Sequence, residues 1–551
     1  MRQTLAKHRA TILLLALCTL TSLALHVFYF GLPPLNSDEV AHGYNAYSIM
    51  STGRGEFGEL PFRMASFGEQ KLPMTAFLMI PGIALFGLHD WVIRLPTHFA
   101  GVSFPILFFI LTVLLTRSKR AGLLSALFAT TSPWLQVTSR HVHEGIICLW
   151  FIIVSMIASI TYVRTRSIRY LMIASACAGI SLWTYHVAKV YVVIWLIGMF
   201  YEHFLHTHKH RWVWVISAAI CIVPFLISEL VLPTNRVGSL LFFRHPLFIY
   251  AIESGRNLGG PTLFYNRYVY GLFELIQSSA LYFTPQLITY LGDSNPRFGY
   301  PGVGPASLVA YVGLWLGFLS ILIKQGWRKL LIVMILVLIS ILPAVLVWQK
   351  NSMTRSLLMS ITWIVLAGYG WDRSVNFMKN TFYTLAGLTH ARLLSMGILI
   401  LIALVHLSQD IQSWDTYYQS YLDQKVADYP WQVGSKELAD FVWREYPKYD
   451  QFIITKRQGQ PYIYLLFYGR YNPRKYQPQA KHTTYNEFTF WENPGFDKFI
   501  FPESMEVVQK KNTMYIVYPD ELPEALKSKA KPIRYNGRDI FYYFTYEPTN
   551  T

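Results

Sequence analysis

Cysteine is scarce in this chain. The four present, Cys18, Cys148, Cys177 and Cys221, all lie in apolar runs, so neither a disulfide framework nor a Cys-x-x-Cys metal site is supported. Charge is scarce too, at 14% of residues, and acid is scarcer than base, with 31 Asp and Glu against 48 Lys and Arg. From Asp410 onward 18 basic residues balance 18 acidic ones, so the whole excess of +17, or 30 minus 13, precedes that point. A nucleic-acid surface would gather such charge into a patch or stripe, whereas here it is scattered through short loops, and no nucleic-acid partner is expected. No GxxxxGK[ST] or strand-borne GxGxxG occurs, which removes the Walker and dinucleotide loops. The first apolar segment, Thr11 to Gly31, follows Arg2, Lys7 and Arg9. It has no small-x-small cleavage site, and Leu17 before Cys18 makes a poor lipoprotein site, so it reads as a retained signal anchor.

What is abundant is hydrophobic sequence, 53% of the chain, in repeated runs of roughly 20 residues, the length that crosses a bilayer. Eleven spans are expected, at 10–31, 92–116, 121–138, 146–163, 170–186, 188–205, 212–230, 305–323, 330–348, 355–371 and 392–408. With a cytoplasmic N-terminus, the inside loops collect Arg117, Lys119 and Arg120; Arg164, Arg166 and Arg169; Lys209 and Arg211; Lys324, Arg328 and Lys329; and Arg373, Lys379 and Arg392, as the positive-inside rule requires. The Asp38 loop, the Arg140 loop, the 231–304 loop and the C-terminal tail then lie outside.

The fold expected is a polytopic α-helical membrane domain over 1–409, with outside loops 32–91 and 231–304, followed by a soluble extracytoplasmic α/β domain over 410–551. In that tail, apolar runs shorten to strand length at Phe452–Thr455 and Met514–Tyr518. A hairpin is predicted from Pro532–Tyr535 through Asn536-Gly537 to Asp539–Tyr543.

Candidate chemistry gathers on the outer face. In Asn36-Ser37-Asp38-Glu39, Ser37 is expected to cap a helix whose first turn holds both acids, favourably placed at the positive end of the dipole. Val40, Tyr44, Tyr47 and Ser51 share one face of that helix, which suits a helix lying on the membrane surface, ended by Gly53, Gly55 and Gly58. Two adjacent carboxylates there are either a plain helix start or a general base for a hydroxyl acceptor. The segment Leu72–Leu88, interrupted by Pro73, Pro81, Gly82 and Gly87, reads as re-entrant or interfacial, with a full span as the alternative, which would invert everything downstream and spoil the loop charge pattern. A second outer loop supplies Arg140-His141-Val142-His143-Glu144. As metal ligands His141, His143 and Glu144 are weak, because i and i+2 positions diverge on strand and helix alike. Lys71, Lys189, Lys350 and Arg355 fall on the same face, where they serve as interfacial anchors or grip an anionic phosphate. The long loop adds Gly292-Asp293-Ser294-Asn295-Pro296-Arg297 and the aromatics Tyr282, Phe283, Tyr290 and Tyr300; Tyr429 and Trp431 add more in the tail, as an aromatic belt or as platforms for sugar.

One span, an outside Asp-Glu, a Lys-x-Pro at Lys71-Leu72-Pro73, then Leu85-Phe86-Gly87 and Val92-Ile93-Arg94-Leu95 together resemble the GT-C membrane glycosyltransferases, specifically glycosyltransferase family 39, which includes protein O-mannosyltransferases and lipid A aminoarabinose transferases. The likeness covers most of residues 1–200. The stretches Gly292–Arg297, Thr354-Arg355-Ser356 to Gly370, and Gly459–Ile463 to Phe467-Tyr468 look like bacterial members. The resemblance implies a plasma-membrane enzyme that moves a sugar from a polyprenyl-phosphate donor to a hydroxyl on a protein, lipid or glycan. It implies Asp38 as the base with Glu39 beside it, Glu144 as a second acidic group near the acceptor or a site metal, and Lys71 on the donor phosphate. Arg355, Arg140 and Lys189 join Lys71 as phosphate candidates, and Tyr44, Tyr47, His143, Asp293 and Arg297 as substrate-lining ones. No cofactor is required for the transfer, a divalent metal remaining an option at Glu144 and His143. Leu72 departs from the family's Lys-Pro-Pro, and no Arg-Tyr follows Asp38-Glu39 as in the aminoarabinose enzymes. A transporter, flippase or polymerase of lipid-linked glycans would need charges deep in the spans, and apart from Glu202 and Glu229 near span ends almost none are seen. A noncatalytic scaffold would be expected to lack the carboxylates.

Overall fold

The computed structural model describes residues 2–28, 33–68, 70–232, 241–299, 304–386, 388–417, 425–457, 459–480, 493–505 and 512–545; Tyr300 and Gly302 lie outside them. The chain forms two compact units, one of Met1–Tyr29 with Thr97–Ser420 and one of Phe30–Pro96 with Tyr421–Thr551. The outside loop 32–91, expected to go with the spans, therefore packs with the C-terminal residues.

The first unit is helical. Among the described residues of the whole chain, eight helices are long and apolar enough to cross a membrane: Arg9–Phe28, Asp90–Thr116, Glu144–Thr165, Ala188–His206, Arg211–Val231, Leu308–Gln325, Trp327–Val345 and His390–Asp415. The other three of the eleven expected runs fold differently. The run 121–138 breaks into Lys119–Thr131 and Pro133–Ser139, because Pro133 disfavours helical backbone at Ser132, which takes ψ 119°. The run 170–186 gives the 15-residue helix Ile168–Leu182, and 355–371 is absorbed into Leu357–Ala386, whose second half is polar. Lipid offers helices no hydrophobic reason to associate, so close packing carries the contact. Gly313, Gly317 and Gly370 show this where Leu308–Gln325 meets Leu357–Ala386: a Cβ on Gly317 or Gly370 would run into backbone of the facing helix, and one on Gly313 into the Trp371 ring. Ser125 Oγ ties the neighbouring helix in by donating to the Ile364 carbonyl at 3.0 Å.

The second unit is built around a six-stranded sheet in the order β2-β3-β1-β4-β6-β5, with β1 Gln451–Ile454, β2 Gly495–Phe496, β3 Phe499–Ile500, β4 Thr513–Val517, β5 Lys531–Tyr535 and β6 Arg538–Thr545. β1 is parallel to both β3 and β4, and the other pairs are antiparallel. The predicted strands are β1 and β4, and the predicted hairpin is β5–β6. Its Asn536 and Gly537 both take positive φ, 48° and 79°, the backbone an Asn-Gly two-residue turn is suited to.

The helix Ser37–Thr52 belongs to this unit and is buried along most of its length, with Val40, Ala41 and Tyr44 wholly enclosed. It is not the surface-lying helix that its apolar face suggests, because the face is covered by protein. Gly43 makes this fit possible: a Cβ there would lie 2.7 Å from the Phe467 ring in helix Pro461–Tyr468 and 2.9 Å from Ile93. The helix ends where expected, at Gly53 with φ 71°. Met74–Phe86, with Pro81 inside it, is a 13-residue helix, short of a full span.

Candidate active site

The start of the Ser37–Thr52 helix separates the two adjacent acids. The cap is Asn36 rather than Ser37: its side chain accepts from the Asp38 and Glu39 amides, while the Glu39 carboxylate reaches back to the Asn36 N–H, a complete capping box. Ser37 is freed for another partner. Its N–H donates to Gln432 Oε1 at 2.7 Å, and Gln432 Nε2 donates to its hydroxyl at 3.1 Å. The Tyr464 hydroxyl donates to the same Gln432 oxygen at 2.9 Å. Gln432 holds this position with φ 47°, a left-handed backbone uncommon for a residue with a Cβ and maintained only where the surroundings fix it.

Glu39 is fully buried, and its carboxylate is saturated. Arg94 Nε donates to Oε1 at 2.8 Å and its NH2 to Oε2 at 2.9 Å, while the Asn36 N–H and Nδ2 each reach Oε2 at 3.1 Å. Arg94 also donates to the Pro33 carbonyl at 3.0 Å. A fully buried carboxylate held by a guanidinium and an asparagine is closed off from a substrate proton. Its work is to fix the helix start that carries Asp38.

Asp38 differs in being open. Its side chain is 45% exposed, yet Lys71, only 3% exposed, places Nζ 2.6 Å from Oδ1. The ammonium also lies 5.2 Å from the Phe67 ring centroid. Lys71 is set by a paired bridge to Met64, N to O at 2.8 and 3.0 Å. A carboxylate facing solvent, backed by a buried ammonium, can accept a proton on one side and present a cation for an anion on the other.

Tyr44, expected to line the site, is buried, its hydroxyl donating to the Tyr471 carbonyl at 3.0 Å, and so serves the core; Tyr47 beside it is half-buried. Sequence reasoning missed three residues here. Arg94 stood inside a quoted motif, and its signal was a lone cation among apolar residues at the head of a span. Gln432 and Glu56 gave none, being single polar residues far from Asp38 in sequence or in a loop.

The other candidates fall in the first unit and are described within it. Arg140 is buried, with NH1 donating to the Leu25 carbonyl at 3.1 Å and its own carbonyl 3.2 Å from His98 Nε2, a place that serves packing rather than phosphate capture. Glu144 begins the Glu144–Thr165 helix, capped by His143, whose Nδ1 accepts from the Gly145 N–H at 3.0 Å. The His143 and His141 rings pack on Phe298 at 4.9 and 5.2 Å, so the loop before Glu144 meets the loop that holds Asp293.

Asp293, taken as substrate-lining, is buried instead and clasps the chain before Leu357–Ala386: Oδ2 accepts from Met353 N–H at 2.6 Å and Thr354 N–H at 3.2 Å, Oδ1 from Asn295 N–H at 2.7 Å. Burial pushes its carboxyl up to about 6 against these hydrogen bonds. Arg297 continues the turn through its N–H to Asn295 Oδ1 at 3.0 Å. Arg355 donates to Gln349 Oε1 at 3.3 Å, Lys189 pairs with Glu229 at 2.9 Å and Lys350 with Glu274 at 3.0 Å. Among the described residues no three His, Cys, Asp or Glu side chains come together as metal ligands.

Residues 70–228 match the family model described as dolichyl-phosphate-mannose-protein mannosyltransferase. A search of curated protein sequences returns no match. Two solved structures share the fold over nearly the whole chain: ArnT from Cupriavidus metallidurans bound to undecaprenyl phosphate, 12% identical, covering 97% of this chain and 98% of that one at a TM-score of 0.52, and the same protein in the apo state, with a TM-score of 0.52 and 98% of both chains covered. The archaeal oligosaccharyltransferase AglB from Archaeoglobus fulgidus also matches, at 12% identity, 84% of this chain, 64% of that one and a TM-score of 0.48. The match over residues 70–228 and the fold shared with ArnT over nearly the whole chain thus point the same way as the resemblance borne by the Asp38-Glu39 region.

Proposed function

We propose that this protein transfers a sugar from a polyprenyl-phosphate donor to a hydroxyl acceptor at the outer face of a cell membrane, with inversion at the anomeric carbon. The observation that carries the reading is the contact between Lys71 and Asp38, a buried ammonium against an open carboxylate. The ArnT structure of the same fold holds undecaprenyl phosphate, which supports a lipid phosphate as the donor class.

The pair suggests an order of events. One ammonium cannot fully serve two anions. When the donor phosphate takes Lys71, Asp38 loses the charge that suppressed its basicity and becomes the stronger base. The acceptor hydroxyl then gives its proton to Asp38 as its oxygen forms the bond to the anomeric carbon. The bond from that carbon to the phosphate oxygen breaks, and the electron pair leaves with the phosphate. A phosphate needs no proton to depart, so Lys71 supplies charge stabilisation and no general acid is required. Glu144 is the family's second acid, and Arg355 a further phosphate candidate. The N-terminus is cytoplasmic, and the 410–551 region lies outside with the Asp38 loop.

The test is the full chain in nanodiscs with a radiolabelled polyprenyl-phosphate sugar, following transfer and translocation separately. Asp38→Asn is expected to abolish transfer while the protein still inserts and binds donor. Wild-type turnover by that variant would sink the base assignment, and translocation without transfer in the wild type would move the protein to the transporters.

A further inference from the structure

A second carboxyl lies beneath the Lys71 loop. Glu56 is completely enclosed, and its Oε1 accepts from the Ser66 hydroxyl at 2.9 Å and from the Tyr462 hydroxyl at 3.4 Å. Among the described residues its Oε2 has no hydrogen-bond partner. The backbone N–H of Glu56 donates to Asn45 Oδ1 at 3.0 Å, and Asn45 Nδ2 donates to Ser66 Oγ at 2.9 Å. Asn45 is on the helix that begins with Asp38, and Ser66 is on the loop between Met64 and Lys71. The closed set Glu56–Ser66–Asn45 therefore ties the element bearing the base to the element bearing the cation.

The surroundings decide the protonation state. Burial is the main influence and pushes the Glu56 carboxyl up to about 8; the charge of Glu59 pushes the same way, while Ser66, Lys71 and Asn45 hold it down. Among the described residues Tyr44, Tyr462 and Tyr476 also feel Glu56, all three neutral and buried. At neutral pH this enclosure favours the carboxylic acid over the anion, since a buried charge is costly. Glu59 has its own work, accepting from the Ala65 N–H at 2.9 Å and the Phe57 N–H at 3.0 Å on the same loop.

We propose that Glu56 is a positioning residue for the Lys71–Asp38 pair: as a neutral acid it holds the Lys71 loop to the Ser37–Thr52 helix and leaves the ammonium to Asp38 and the donor phosphate, whereas once ionised it competes for Lys71. The donor part rests on the function proposed above.

The experiment uses the full-length protein in nanodiscs with undecaprenyl phosphate as the probe. Wild-type affinity is expected to fall about tenfold between about pH 7 and about pH 9, the scale of one unit of electrostatic competition. Glu56→Gln, which keeps the shape and cannot ionise, is expected to bind like wild type at the lower pH and to keep that affinity at the higher. The same alkaline fall in Glu56→Gln, or weakened binding at the lower pH, would overturn the proposal. A ligand-free readout separates this from the donor assignment. The folded chain holds a Glu56 proton that the unfolded chain loses at an ordinary carboxylate pH, so melting temperature falls as pH rises toward about 8. Glu56→Gln is expected to remove that slope, and Lys71→Met to move its midpoint upward. If wild type binds no lipid phosphate at any pH, the donor assignment fails while these two shifts still read the coupling; an unmoved midpoint in Lys71→Met overturns it.

Discussion

Removing Arg94 tests the claim that Glu39 is a structural anion. Glu39 is wholly buried and accepts four hydrogen bonds, two from the Arg94 guanidinium and two from Asn36. Arg94→Met keeps most of the apolar volume and deletes the charge, leaving a buried carboxylate without its guanidinium. Breaking a buried pair from one side costs about 3–5 kcal/mol, chiefly the penalty of the unpaired charge. For a unit of this size each kcal/mol moves the midpoint by about 2–4 °C, so a fall of about 6–20 °C is expected. Thermal unfolding in detergent reads this directly. The double variant Glu39→Gln with Arg94→Met should recover most of the loss, since neither partner is then a stranded ion. Donor transfer should fall in the single variant, because the helix start that aims Asp38 is loosened. An Arg94→Met protein that melts within about 2 °C of wild type, less than 1 kcal/mol, would refute the reasoning, as would a double variant no better than the single.

Lys71→Met is expected to raise the donor KM by about ten- to a hundredfold, the worth of one charge-assisted hydrogen bond, with inserted protein unchanged; initial-rate kinetics over donor concentration check it. Asp293→Asn turns an amide group toward the Met353 or Thr354 N–H and should cost about 1–3 kcal/mol in melting experiments. The same substitution carries a pH signature. Because burial holds the folded Asp293 carboxyl at about 6, stability should decline as pH rises from the ordinary aspartate range to about 6, and Asp293→Asn should flatten that decline. Gly43→Ala forces a methyl against Phe467 and Ile93, and about 1–3 kcal/mol of overpacking strain should appear as a lower melting temperature.

The sequence by itself determined the class of the molecule, because bilayer crossing imposes a length and an apolarity that are local properties of a run of residues. It likewise placed β1, β4 and the Asn536-Gly537 hairpin, whose alternation and turn chemistry are also local. It picked out Asp38 and Lys71, 33 residues apart, from a resemblance and from charge on one membrane face. Only the tertiary structure decided which acid faces solvent. Asp38 and Glu39 are the same kind of residue one position apart, and the difference between them is made by Arg94 and Asn36 closing around one and by Lys71 standing beside the other. The buried fate of the Ser37–Thr52 helix was equally hidden, since an apolar face looks the same whether lipid or the helix Pro461–Tyr468 covers it. Glu56 was invisible for the same reason: its importance comes from enclosure and from a bond to Ser66, and enclosure is a property of the packed chain, with no pattern in the sequence to announce it.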